Sequence, residues 1–132
     1  MALYLGNKFL TNSVKFVKAS SNDWEKKYLD YLDGYLVIPA ETTSIRDNAF
    51  KANIYLLTVS FENDSQCTTI GKQSFNGCDS LKEVTIPNSV TSIGSSCFGS
   101  CRKLETITIN KPENSIEGAP WGATNATVIW NG

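Results

Sequence analysis

Apolar residues recur along most of this chain in one fixed frame. Four segments align, covering residues 35–53, 58–78, 83–101 and 106–122. Phe50, Phe75, Phe98 and Trp121 share one position, and Ile45, Ile70, Ile93 and Ile116 share another five residues earlier. Ile38, Phe61, Ile86 and Ile109 share a third, and Leu36, Val59, Val84 and Ile107 a fourth, two residues before the third. Leu56, Leu81 and Leu104 open the last three strands. The second copy carries two extra residues around Asp64 and Cys67, so the strand positions are spaced 23, 25 and 23 (38 to 61, 61 to 86, 86 to 109).

Each copy predicts the same path. Residues two apart on a strand face the same side. In Leu81-Lys82-Glu83-Val84-Thr85-Ile86, Val84 and Ile86 therefore point inward and Glu83 and Thr85 outward. Pro87 ends the strand because it has no N–H for the ladder. Residues 91–94 form a second extended piece, with Ile93 inward and Gly94 turning the chain. Phe98 then enters the core, and residues 99–101 close the coil in a tight turn or short helix. One such coil cannot bury its apolar edge alone. Stacked coils bury it against one another, which predicts a continuous core and two sheets of short parallel strands. With strands ~4.8 Å apart, four coils make a rod roughly 20 Å long.

The ends read differently. Residues 3–17 suggest two strands with a turn at Gly6-Asn7, since both residues tolerate positive φ. Residues 20–33 suggest a helix capped by Asn22 or Asp23 and ended by Gly34. Its apolar side is Trp24, Tyr28, Leu29, Tyr31 and Leu32. These aromatics are expected to cover the first coil, with a sticky face for a partner as the alternative. Residues 126–130 form a final strand with Trp130 sealing the last coil. The expected division is 1–34 as N-terminal strands and capping helix, and 35–132 as solenoid with a C-terminal capping strand, in one folded unit.

The pattern LxxVxIPxxVTxIGxxxFxxCxxL, carried by Leu81, Val84, Ile86, Pro87, Val90, Thr91, Ile93, Gly94, Phe98, Cys101 and Leu104, resembles the BspA-type class of leucine-rich repeat. With the ends added, the expected fold is a β-rich α/β solenoid. It is a right-handed leucine-rich-repeat superhelix of about four 23-residue coils with short parallel strands, an N-terminal β-hairpin and a helix cap. The resemblance implies an adhesion module of the kind found on the surface of, or secreted by, bacteria and some parasites. Similar repeats also occur in phage-encoded proteins. Asn110-Lys111-Pro112 and Ala119-Pro120-Trp121-Gly122-Ala123 look like the closing segment of small bacterial and prophage members.

Composition narrows the function. The 132 residues suit one domain, and 41% hydrophobic content is enough for a core. Net charge is −1, with 12 basic and 13 acidic residues, which gives nucleic acid or an anionic membrane no footing. No apolar run approaches the ~18 residues of a membrane span, so no membrane insertion is expected. The first residues lack a basic stretch followed by a long apolar one. The expected location is cytoplasmic when made or virion-associated, or the cell surface if a leader has been removed.

Without histidine there is no imidazole base, common triad or imidazole metal ligand. No phosphate-binding or dinucleotide fingerprint occurs, and Gly94-Ser95-Ser96 is a repeat turn. No catalytic residue, cofactor or metal is expected. Four thiolates (Cys67, Cys78, Cys97, Cys101) could close a zinc tetrahedron. The repeat frame already accounts for Cys78 and Cys101 as small apolar fillers, and a disulfide between those two has weak support. Glu62, Asn63, Asp64 and Ser65 invite calcium, but a solvated insertion loop explains them more simply.

Two surfaces remain as binding candidates. Outward strand positions pair Tyr35 with Val37, Thr58 with Ser60, Glu83 with Thr85 and Thr106 with Thr108. The candidate ligand-binding face is Tyr35, Thr58, Ser60, Glu83, Thr85, Thr106 and Thr108, although threonine also suits any exposed strand. The insertion at residues 62–66 is the second candidate, since insertions in repeats map to loops. The expected function is a non-enzymatic module binding a protein or cell-surface glycan. The alternative is a decoration or assembly protein of a virion or larger complex, docking through its N-terminal region. Self-association through a terminal coil or a sheet edge stays open.

Overall fold

The computed structural model describes residues 34–132. Among them the chain winds through β1 (Tyr35–Ile38), β2 (Ser44–Ile45), β3 (Thr58–Phe61), β4 (Thr69–Ile70), β5 (Glu83–Ile86), β6 (Ser92–Ile93), β7 (Thr106–Ile109) and β8 (Thr127–Trp130). The longer strands form one parallel sheet in the order β1-β3-β5-β7-β8, and the two-residue strands form a second in the order β2-β4-β6. This is the expected solenoid of about four coils. Regular elements among the described residues are all strands, so the α/β character expected of the fold is not found there. The hairpin at 3–17 and the helix cap at 20–33 lie outside the described residues.

The coil-closing segment is a turn rather than a short helix, and its backbone angles explain why. Asn48, Gln73 and Ser96 have φ of 63, 57 and 55°, and Ala52, Gly77 and Ser100 have φ of 61, 77 and 55°. Two left-handed residues in the closing turn of each of these three coils interrupt any right-handed helix. They also turn N–H groups toward the next coil. Asn48, Phe50 and Ala52 donate to Lys72, Ser74 and Asn76, and Gln73, Phe75 and Gly77 donate to Ser95, Cys97 and Gly99. The strands bond the opposite way. Leu57, Lys82, Glu105 and Thr127 each donate back to the equivalent carbonyl of the preceding coil, in a line starting at Gly34. Every coil is thus tied to both neighbours through its backbone, which satisfies polar groups that stacking would otherwise bury unpaired.

Side chains stack in columns inside this frame. Leu36, Val59, Val84 and Ile107 are buried in one, and Ile45, Ile70, Ile93 and Ile116 in another. The rings form a spine. Phe50 and Phe75 stack at 5.2 Å and 3°, and Phe75 and Phe98 at 5.7 Å and 12°. Trp121 breaks the stack edge-on to Phe98 at 6.5 Å and 72°. Its indole donates to the Glu117 carbonyl at 2.8 Å. Half-buried Trp130 lies 6.3 Å from Trp121 and closes the end of the core.

Two glycines set how closely coils approach. A Cβ on Gly71 would collide with the backbone of Arg46 and Asp47, and one on Gly94 with the backbone of Lys72. The fourth coil carries Glu117 at this position. The same close approach is closed to it, and the short sheet stops at three strands.

All four cysteines are buried with free thiols. Cys78 and Cys101 occupy one column, donating to the carbonyls of Phe50 at 3.3 Å and Phe75 at 3.1 Å. Cys97 sits in the column of Ala49 and Ser74 and lies 3.2 Å from the Ser74 hydroxyl. Cys67 takes the column of Thr42 and Val90. The repeat therefore absorbs all four, where the sequence frame had placed two. Burial pushes the Cys67 thiol up from the ordinary 9.0 to about 11 and that of Cys97 to about 12. The Cys78 thiol is also raised, by its hydrogen bond with Cys101 and by burial.

Three outcomes follow for stability. Phe75→Ala opens a void between two stacked rings and should cost ~3–5 kcal/mol in urea unfolding; a loss no larger than that of an exposed substitution would contradict the spine. Gly94→Ala must push neighbouring coils away from each other and should cost ~1–3 kcal/mol, whereas an unchanged midpoint would contradict the close approach. The thiols give a pH dependence. The folded state keeps the protons of Cys67 and Cys97 to about 11 and about 12, while the unfolded chain releases them near 9.0. Their contribution is full below pH 9.0 and is lost as pH rises through the folded values, by ~1 kcal/mol per pH unit per thiol inside that window. Urea midpoints of the wild type should fall faster above that pH than those of a Cys67→Ala/Cys97→Ala variant; parallel curves would refute the assignment.

Candidate functional site

The long-strand sheet presents its outer side to solvent along the whole described solenoid. Strand alternation puts Leu36, Val59, Val84 and Ile107 in the core and leaves the residues on either side of each facing out. Parallel register aligns these in two columns. Tyr35, Thr58, Glu83, Thr106 and Thr127 make the first; the second runs Val37 with Ser60 and Thr85 with Thr108 and Ile129, the ladder being unpaired between Ser60 and Thr85. All seven residues predicted from sequence lie on this one face. Tyr35, Glu83 and Thr85 are exposed, and Thr58, Ser60, Thr106 and Thr108 are half-buried between their neighbours.

The final strand adds Thr127 and Ile129, which the repeat frame did not assign to the face. The signal was present in the alternation of Thr127-Val128-Ile129-Trp130. It falls out of frame because the last coil is shorter, with Trp130 following Ile109 by 21 positions (130 − 109). The completed face has apolar residues toward its two ends, Tyr35 and Val37 at 57% and 46% exposure and Ile129 at 40%. Between them run hydroxyls and the single carboxylate of Glu83. Such a surface offers donors and acceptors in a fixed lattice, framed by apolar contacts.

The insertion in the second coil is the other expected surface. It leans on the first coil. Glu62 N–H donates to Ile38, Gln66 N–H donates to Ala40, and the Glu62 Oε1 accepts from Ala40 N–H at 2.8 Å. Ser65 Oγ accepts from Cys67 N–H at 3.1 Å. Glu62 is thus engaged by the backbone rather than aimed at a cation. Among the described residues, no group of three or more Cys, Asp or Glu side chains is placed to hold a metal ion. The four thiols stand in core columns, each hydrogen-bonded to a carbonyl or hydroxyl oxygen, with Cys78 and Cys101 also bonded to each other. Among the same residues no helix is long and apolar enough to cross a membrane.

Comparison with known proteins agrees with this geometry. The BspA type leucine-rich repeat region matches residues 34–127 and counts six copies there, a stretch in which the ladders stack four coils. Among solved structures, the pneumococcal vaccine antigen PcpA is similar, with a TM-score of 0.55 and 27% identity. The similarity covers 58% of this chain and 18% of that one, so this chain corresponds to a small portion of the antigen. No curated protein matches the chain. The family match takes in well over half of the sequence and coincides with the stacked coils, and the chain belongs to the BspA-type leucine-rich repeat family.

Proposed function

We propose that the chain is a non-enzymatic adhesion module whose outer strand face binds a protein or cell-surface glycan. One observation carries this reading: Tyr35, Thr58, Ser60, Glu83, Thr85, Thr106 and Thr108 fall on the same face of one sheet. Repeat proteins use such extended surfaces for binding. The rungs are mostly Ser and Thr, short side chains that lose little rotamer freedom on contact. The apolar ends supply area that polar rungs lack. Family membership supports a binding scaffold, and likeness to a vaccine antigen fits a protein that meets host molecules.

Catalysis is outside the proposal because the face offers one carboxylate and no partner base. An electrostatic partner such as nucleic acid is outside it because no basic stripe lines the face.

The test is binding of the purified full chain to host cells, matrix proteins and a glycan panel, followed by face variants. Thr85→Lys combined with Thr108→Lys plants two long charged side chains mid-face. It should weaken capture by roughly tenfold or more, equivalent to ~1.4 kcal/mol. Unfolding stability should stay within ~0.5 kcal/mol, as for other surface changes. Silence across all three panels would overturn the reading, as would undiminished capture by the folded double variant.

A further inference from the structure

The ladder of the long sheet is incomplete at one place. β1 and β3, β5 and β7, and β7 and β8 each pair over four residues. β3 and β5 pair only at Thr58 with Glu83 and Val59 with Val84. Two sequence features cause the split. Elsewhere the residue after each strand donates its N–H to the last carbonyl of the preceding strand: Glu62 to Ile38, Asn110 to Ile86 and Asn131 to Ile109. At the third coil that residue is Pro87, which has no N–H, so the Phe61 carbonyl cannot receive the bond. The extra residues of the second coil meanwhile bond to the first coil, through Ala40.

The strand ends therefore separate, and a cleft of about 220 Å³ opens between the coils. Phe61, Thr85 and Pro87 line it, with Phe61 half-buried. One wall is the insertion, with Asn63, Asp64 and Ser65. The other is Asn88 with Asn110 from the next coil. We propose that this cleft binds a single neutral pyranose residue of a glycan by direct hydrogen bonds. The proposal rests on the chain being a binding module but not on the strand face being its site.

Size, charge and donor pattern each narrow the occupant. The volume holds about seven waters at ~30 Å³ each, which is room for one sugar ring. It falls below the ~300–1,000 Å³ of pockets that enclose drug-sized ligands. No Lys or Arg lines it, while Glu62 and Asp64 do, so phosphate, sulfate and acidic sugars are repelled. Apolar peptide side chains find only Phe61 and Pro87. Three amides each present donors and acceptors, two hydroxyls do the same, and Asp64 accepts. Neighbouring sugar hydroxyls need that mixture, since each both donates and accepts. Half-buried Phe61, with Pro87, supplies the apolar part of the lining against which the C–H groups of a pyranose can pack.

The test uses the full chain and saturation-transfer NMR with methyl glycosides of mannose, galactose, glucose and N-acetylglucosamine. At least one should show transfer, with competition by its parent disaccharide. Asn88→Ala with Asn110→Ala should weaken that signal by roughly tenfold or more. Both residues are exposed, so folding is not at risk. Lys103→Glu, exposed and outside both the cleft lining and the strand face, should leave it unchanged. No transfer from any glycoside would overturn the proposal, and so would a signal indifferent to the paired asparagine change or preference for a sulfated sugar. Cell capture that is lost in the strand-face variants yet accompanied by no sugar signal would overturn the cleft alone, leaving the binding-module reading intact.

Discussion

Everything in this solenoid depends on in-register stacking of one coil on the next. A single coil has no interior. It acquires one only when each buried side chain meets its counterpart one coil away, at the ~4.8 Å spacing of parallel strands. That spacing selects side chains that pack against copies of themselves. Branched aliphatics do so in the strand columns, and flat rings do so in the spine, where Phe50, Phe75 and Phe98 lie nearly parallel. Aromatic pairs have no strong intrinsic preference for this alignment and often choose an edge-on arrangement. Here the backbone imposes it. Once the repeat ends, Trp121 takes the edge-on geometry.

The stacking constraint also decides what sequence could reveal. Columns with one residue type in every coil were legible, and they gave the register, the two sheets and the outward face. Columns of mixed type were not. Cys97 stacks with Ala49 and Ser74, and Cys67 with Thr42 and Val90, so neither announced itself as a core position. Ile116 was legible as buried, but the loss of a short strand beside it was not. That loss depends on whether Glu117 can come as close to a neighbour's backbone as Gly94 does. The coil-closing turn was ambiguous because its left-handed residues include Asn48, Gln73, Ser96 and Ala52, which carry no glycine signature.

The candidate surfaces divide along the same line. The strand face follows from alternation, which is local, so its seven residues could be named from sequence. Its last rung needed the pairing of β8 with β7, which the shorter final coil conceals. The cleft was less visible still. Residues 62–66 stood out as an insertion, but their opposite wall is Asn88 and Asn110, drawn from two other coils. Only the established register shows that Pro87 faces the carbonyl of Phe61, and a missing N–H matters only when something needed it.

The fold tolerates that gap for a reason rooted in its one-dimensional build. Coils interact with nearest neighbours, so a local defect weakens one interface rather than a shared core. The β3–β5 interface keeps its inner pair, Val59 against Val84, and both remain buried. The Phe75–Phe98 stack and the β4–β6 pairing hold the same two coils together elsewhere. Only the outer strand end opens, where Phe61 becomes half-exposed instead of fully buried like Ile38, Ile86 and Ile109. A bulky ring at that position suits the opening better than another isoleucine would. It still packs against the core while being half-exposed at the opened ladder. The insertion, Pro87 and the aromatic at 61 are thus physically compatible with one another, and together they give this repeat a concave feature without loosening the column of side chains under it.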